Sequence, residues 1–239
     1  MPSSSNDLKL KIFADGADLP TMVEMSKKPI IRGLTTNPTL MRKAGINDYK
    51  KFAKEVLVEI QDKPISFEVF SDDLNEMIDQ ATEIASWGKN VNVKIPVTNS
   101  KGVETTKVVR ELSSRGIPLN ITAILTAKQV RSVVNSLDDK SIAFISVFAG
   151  RIADTGRDPI PLMQEALKIM EVKPKSELIW ASPRELLNVI QADAIGCHVI
   201  TATSDILKKL EIIGKDLSQY SLETVKMFRD DAVASGYSI

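Results

Sequence analysis

Eight short runs rich in β-branched and aliphatic residues recur along the chain, and all but the first are followed by a longer segment with helical spacing. The runs are Leu8–Ala14, Pro29–Thr35, Ile65–Phe70, Val91–Val97, Ile117–Ile124, Ser141–Gly150, Glu177–Ser182 and Cys197–Ala202. The helical segments are Ile46–Asp62, Asp73–Gly88, Gly102–Gly116, Thr126–Asp139, Asp158–Val172, Pro183–Gly196 and Ser204–Gly214. In each of these, apolar residues fall three and four apart, the spacing of one helix face. Strands that alternate with helices of this length imply βαβ units and a parallel sheet. Eight units within 239 residues fit a closed (β/α)8 barrel of the TIM type better than an open doubly wound sheet. No GxGxxG follows the first run, which weakens the dinucleotide-binding alternative. We expect an α/β fold: a loose tail over residues 1–7, one barrel over 8–215, and an additional helix with a tail over 216–239.

Composition removes several classes of chemistry. Lys+Arg and Asp+Glu are each 31, so the net charge is zero and nothing marks a nucleic-acid partner. One Cys excludes an internal disulfide and a Cys-based metal site, and one His excludes a multi-His site. No metal and no cofactor are expected. The polar start MPSSSND lacks the features of a signal peptide, and no apolar run reaches spanning length. A cytoplasmic protein without a membrane partner is the expectation. Catalysis is left to Lys, Asp, Glu, Ser, Thr and Tyr.

In such a barrel the active site lies at the C-terminal ends of the strands. Lys94 stands between valines and an isoleucine in VNVKIPV, on a strand covered on both faces. Burial disfavours the ammonium and frees the amine to attack a carbonyl and form a Schiff base. The alternative is a rim lysine that snorkels to water. Asp15, which ends the first strand, and Glu68, inside the third, are the carboxylates that could move protons beside it. They read equally as a turn residue and as a structural ion-pair partner. Asn37 in TTNPT is a turn or cap on spacing alone. Asn120, inside an apolar strand, needs a fixed partner or a ligand, and Thr122 shares its face. Arg151, Ser182 and Arg184 suit an anion, or else are solvated polar residues at helix starts. Cys197, His198 and Trp180 read as packing residues at the start of the eighth strand and the end of the seventh.

The stretches FADGAD, GLTTNPTL, ISFEVF, VNVKIPVT, GIPLNIT, ISVFAGRIAD, WASPR and AIGCHVIT carry a resemblance to the transaldolase family, in its short transaldolase/fructose-6-phosphate aldolase branch. They run in the same order over about residues 8–205. The resemblance implies metal-free aldol chemistry on sugar phosphates. It gives Lys94 as the Schiff-base lysine, Asp15 as the general acid/base, Glu68 as a proton carrier through water, and Thr122 as the holder of that water. It puts Asn37, Asn120 and Ser146 on the dihydroxyacetone unit, and Arg151, Ser182 and Arg184 on the phosphate. Fructose-6-phosphate aldolases of this branch carry Gln and Tyr where this chain has Glu68 and Phe148, so the resemblance implies a transaldolase. An aldolase that releases free dihydroxyacetone, and a non-catalytic barrel that binds sugar phosphates, are the alternatives. Gly16 stands where many relatives have Thr, and Pro183 where an aromatic is common. The extra helix, expected over Ser221–Gly236, implies a homo-oligomer, often decameric in this branch. It could instead cover the barrel floor of its own chain.

Overall fold

Valine, isoleucine and leucine dominate the strand segments because both faces of a parallel sheet are covered. The computed structural model describes residues 2–238. Its strands are β1 (Lys11–Asp15), β2 (Ile31–Thr35), β3 (Ile65–Glu68), β4 (Val91–Pro96), β5 (Leu119–Ile124), β6 (Ala143–Val147), β7 (Ser176–Trp180) and β8 (Val199–Ala202). Each pairs in parallel with the next, and β8 pairs with β1, so the sheet closes on itself.

The helices are α1 (Leu19–Ser26), α2 (Pro38–Lys43), α3 (Tyr49–Glu59), α4 (Leu74–Ala85), α5 (Thr106–Ser114), α6 (Ala127–Val134), α7 (Ala149–Ala153), α8 (Ile160–Met170), α9 (Leu187–Ala194), α10 (Ser204–Lys208) and α11 (Leu217–Ala234). Local chemistry starts many of them. Asp18, Asp48, Asp73 and Asp216 each accept a backbone N–H at an N-cap, and Thr126 with Gln129 forms a capping box, which satisfies donors a helix cannot pair internally. In α4 the buried face is Met77, Ile78, Ala81 and Ile84, the one- and three-to-four-residue spacing that lies against a sheet.

The core has two parts. The larger fills the space between barrel and helices. The smaller plugs the barrel interior with Phe13, Phe144, Ile179, Ala181 and Val199, and Phe148 packs on it. Phe13 meets Phe144 edge to face at 5.3 Å between ring centroids. Opposite the Phe13 ring is Gly33, where a Cβ would come within 2.6 Å of the ring. Glycine at this place in β2 is therefore a matter of room for the aromatic plug.

The elements are shorter than the apolar runs, because apolar residues continue past the last ladder bond. Phe70 lies beyond β3 and is exposed. Ala149 and Gly150, expected at the end of the sixth strand, begin α7 instead. Cys197 and His198 precede β8 rather than opening it. Helix α1 was not expected between the first two strands; its signal is Asp18 ahead of Pro20 in the first turn, a start signature in only eight residues. The Ser204–Gly214 helix divides into α10 and a 3-10 turn over Lys209–Ile212. At the N-terminus, Ser5–Asp7 form a 3-10 turn with a Ser4–Asp7 capping box.

Helix α11 starts at Leu217 and none of its residues is buried. Leu217, Tyr220, Leu222, Val225, Met227, Phe228 and Val233 are exposed along it. No helix among the described residues is long and apolar enough to cross a membrane.

Gly33→Ala is expected to cost about 1–3 kcal/mol, the usual penalty for overpacking, measured by urea unfolding. Gly33→Ala combined with Phe13→Leu is expected to recover part of that loss. An unchanged midpoint for the single variant would show that the plug has slack.

Candidate active site

Along β4 the side chains alternate, and Lys94 faces the barrel interior near its C-terminal end. Register places it beside Glu68 of β3 and Asn120 of β5. Lys94 is 6% exposed. Its Nζ is 3.1 Å from Oε2 of Glu68 and donates to the Thr36 carbonyl at 2.9 Å. The ammonium is thus held by one carboxylate and one backbone oxygen at the floor of the mouth, not at the rim. Removing one partner of a buried ion pair costs about 3–5 kcal/mol, because the other charge is stranded. From outside the barrel, the Tyr49 hydroxyl donates to the Glu68 backbone carbonyl at 2.9 Å, and burial pushes that phenol's pKa well above its ordinary value. Tyr49 packs edge to face on Phe67, Phe70 and Trp87.

Asp15 closes β1 on the other side of the mouth. The Thr35 hydroxyl donates to its Oδ1 at 2.8 Å, and Asn37 Nδ2 donates to its Oδ2 at 3.3 Å. Thr35 in turn shares a 2.5 Å hydrogen bond with Thr201 of β8. Burial raises the Asp15 pKa above the usual carboxylate value, against the pull of the Lys94 charge and of the Thr35 and Asn37 hydrogen bonds; Glu68 adds to the rise. The helix following β1 is capped by Asp18, so Asp15 is not its cap. Asn37 does both things open to it: its Oδ1 caps α2 by accepting from Leu40 N at 2.9 Å, while its Nδ2 holds Asp15.

Asn120 is fully buried and fixed at both ends. Its Nδ2 donates to Ser66 Oγ at 2.9 Å, and its Oδ1 accepts from Ser146 Oγ at 2.7 Å. Thr122 follows on the same face, and its buried hydroxyl makes no hydrogen bond to another group of the protein. Around it the β5–β6 register shifts between Ile121 and Ile124, and the next residue, Ala123, adopts a φ of 61°. That is costly backbone for a residue with a Cβ, of the kind held in place by its surroundings.

The far wall carries the arginines. Arg151 of α7 lies with its guanidinium 5.7 Å from the Phe148 ring centre. Ser182 has a φ of 60°, and its carbonyl passes so close to Gly150 that a Cβ there would be 1.5 Å away. Arg184 donates from Nη1 to Ser182 Oγ at 3.0 Å and forks onto Asp154 from Nε at 2.8 Å and Nη2 at 2.5 Å. Hydrogen bonding to Arg184 holds the Asp154 carboxyl below its usual range.

One cavity of about 460 Å³ joins these groups. Asp15, Asn37, Glu68, Lys94, Asn120, Thr122, Ser146, Phe148, Arg151, Ser182 and Arg184 all line it. A volume of this size suits a small organic ligand. Thr35, Ala123 and Thr201 line it too, and Asp154 and Ser66 stand behind it. Sequence reasoning missed these, although the run of three hydroxyls and amides in TTNPT was a signal for Thr35. His198 accepts from Leu178 N at 2.9 Å and lies ahead of β8, away from the strand ends that form the mouth; Cys197 is buried. Among the described residues no group of three or more His, Cys, Asp or Glu side chains could hold a metal ion.

The arrangement brings a buried amine, two carboxylates and, on the far wall, two guanidinium groups to the surface of one cavity. A solved structure of a protein from Coccidioides immitis, described as a dihydrodipicolinate synthase family protein, superposes with a TM-score of 0.58 over 96% of this chain and 76% of that one, at 10% identity. That likeness is one of fold alone. A protein of Thermoanaerobacter sp. named "Probable transaldolase" is 33% identical over 96% of this chain and 100% of its own length. Proteins of the same name from Nitrosopumilus maritimus and Clostridium acetobutylicum are 34% and 36% identical, each over 84% of this chain and over 87% and 89% of their own lengths. The model of the family described as Transaldolase/Fructose-6-phosphate aldolase matches residues 12–239, and this chain belongs to that family.

Proposed function

We propose that the protein is a transaldolase, which carries a dihydroxyacetone unit between sugar phosphates as a covalent adduct on Lys94. The exchange would convert sedoheptulose 7-phosphate and glyceraldehyde 3-phosphate into erythrose 4-phosphate and fructose 6-phosphate. The observation that carries this reading is the amine itself: Lys94 Nζ is buried, 3.1 Å from Glu68, in one cavity with Asp15 and with the arginine end.

Glu68 is close enough to take the proton the ammonium sheds before it attacks. The neutral amine adds to the C2 carbonyl of the ketose phosphate, and loss of water from the carbinolamine gives the protonated imine. A water on the Thr122 hydroxyl would relay protons with Glu68 in that step, since a buried hydroxyl without a protein partner otherwise pays a desolvation cost. Asp15 accepts the proton of the C4 hydroxyl as the C3–C4 bond breaks. The bonding pair flows into the imine nitrogen, an aldose phosphate leaves, and a three-carbon enamine stays on Lys94. A second aldose phosphate then accepts the carbon, Asp15 returns the proton to the new hydroxyl, and water hydrolyses the product imine to free the ketose phosphate and the Lys94 amine. A carboxyl whose pKa is raised by burial suits both halves of that task. Asn120, Ser146 and Asn37 would hold the hydroxyls of the dihydroxyacetone unit. Arg151, Ser182 and Arg184 would hold the phosphate.

Phe148 lines the cavity without a hydroxyl that could direct water onto the enamine, which supports transfer over release. Helix α11, with seven large apolar residues exposed and none of its residues buried, supports association with a second copy of the chain, because a monomer seldom leaves so much apolar surface on one element uncovered.

Borohydride reduction in the presence of fructose 6-phosphate is expected to leave a three-carbon adduct on Lys94, read by mass spectrometry, and none on Lys94→Met. A wild-type protein that gives no adduct would overturn the scheme. Without an aldehyde acceptor, fructose 6-phosphate cleavage is expected to stop near one equivalent. Phe148→Tyr is expected to raise acceptor-independent release about tenfold, the scale of one hydrogen bond in a transition state; rapid sustained release by the wild type would instead identify an aldolase. Light scattering on a chain ending at Asp216 is expected to give a smaller particle than the full chain, and equal masses would refute the role given to α11.

A further inference from the structure

The Arg184 guanidinium makes three side-chain hydrogen bonds at the anion end, and an acid already holds it. Arginine has five N–H donors. Nε and Nη2 each give one to Asp154, at 2.8 and 2.5 Å, and Nη1 gives one to Ser182 Oγ at 3.0 Å. One donor on each terminal nitrogen is left over. Asp154 caps the C-terminal end of α7, about one turn after Arg151; it pairs with Arg184, and the charges of both arginines act on it, so it offsets one of them. Both Arg184 and Asp154 are about half exposed, and an exposed ion pair contributes little to folding. Its weight falls on the direction and charge of the site.

The geometry points to Asp154 as a positioning residue of the anion end. Its carboxylate aims the free edge of Arg184, together with the Ser182 hydroxyl, at the terminal phosphate of the sugar. It also weakens the undirected pull of the two arginines on other anions. This inference rests on the phosphate-binding reading of Arg151, Ser182 and Arg184 given above. Its logic is one of selectivity: the site gives up some anion affinity in the free enzyme and gains a fixed pose, and only a fixed pose turns phosphate binding into faster reaction at C3–C4. Without Asp154 the guanidinium keeps its charge and its reach but not its aim.

The test uses the full chain as wild type, Asp154→Asn, Asp154→Glu and Arg184→Ala. Inorganic phosphate is titrated by calorimetry, and kcat and KM are measured for fructose 6-phosphate and for fructose with the same acceptor. Asp154→Asn is expected to bind inorganic phosphate roughly two- to fivefold tighter, the scale of one exposed charge. Its preference for fructose 6-phosphate over fructose is expected to fall by a similar factor or more, through kcat rather than KM. Asp154→Glu is expected to restore much of that preference. If Asp154→Asn leaves both quantities unchanged, or weakens phosphate binding and slows both substrates alike with a lowered melting temperature, Asp154 is only a strut and the inference is wrong. If Arg184→Ala binds inorganic phosphate as the wild type does, the phosphate site itself is misassigned, and the inference falls with it. The calorimetric readout does not depend on Schiff-base chemistry, so the catalytic scheme can fail while this inference stands.

Discussion

A closed barrel of eight parallel strands has an interior wide enough for side chains and too narrow for solvent. The aromatic plug of Phe13 and Phe144 fills its middle, so the polar residues at the strand ends meet above a dry floor. Lys94 is the clearest product of that constraint. An ammonium cannot stay buried without a partner, and closure supplies Glu68 from one neighbouring strand and the Thr36 carbonyl from the end of β2. Asp15 pays for the same confinement with a raised pKa. The fold therefore creates the two conditions that amine and carboxyl chemistry at neutral pH needs, namely a nearby proton acceptor for one and a tempered acidity for the other.

The polar groups around this centre are interlocked across strands. Asn120 ties β3 to β6 through Ser66 and Ser146, and Thr35 ties β1 to β8 through Asp15 and Thr201. In a low-dielectric setting such satisfied networks fix side-chain direction as well as contribute to stability. Thr122 alone among the inward hydroxyls of β5 and its neighbours is left without a protein partner, beside a strained Ala123. Strain of that kind is retained where the surroundings over-determine it.

Much of the architecture could be read from the chain because a parallel barrel repeats one signal eight times. Polar residues inside those repeats stood out for the same physical reason: Lys94 and Asn120 interrupt apolar strands and must be compensated. Other features were hidden for equally physical reasons. Asn37 gave an ambiguous local signal because it truly serves as a cap while also touching Asp15. The start of helix α7 lay inside a strand-like run because Val147–Gly150 is apolar with no period. Asp154 carries no local sign of its link to Arg184, which lies 30 residues away. Helix α1 is short and buries only Met22 and Met25, too little for a periodic pattern.

The contact between Gly150 and the Ser182 carbonyl ties the arginine wall of the cavity to a missing side chain. The left-handed turn at Ser182 is seated against bare backbone at the start of α7, so α7 and the loop after β7 behave as one block. The pose of a hydroxyl on one loop is thereby set by the size of a residue 32 positions earlier. Drift in this region must be paired: neither segment can acquire bulk unless the other gives way.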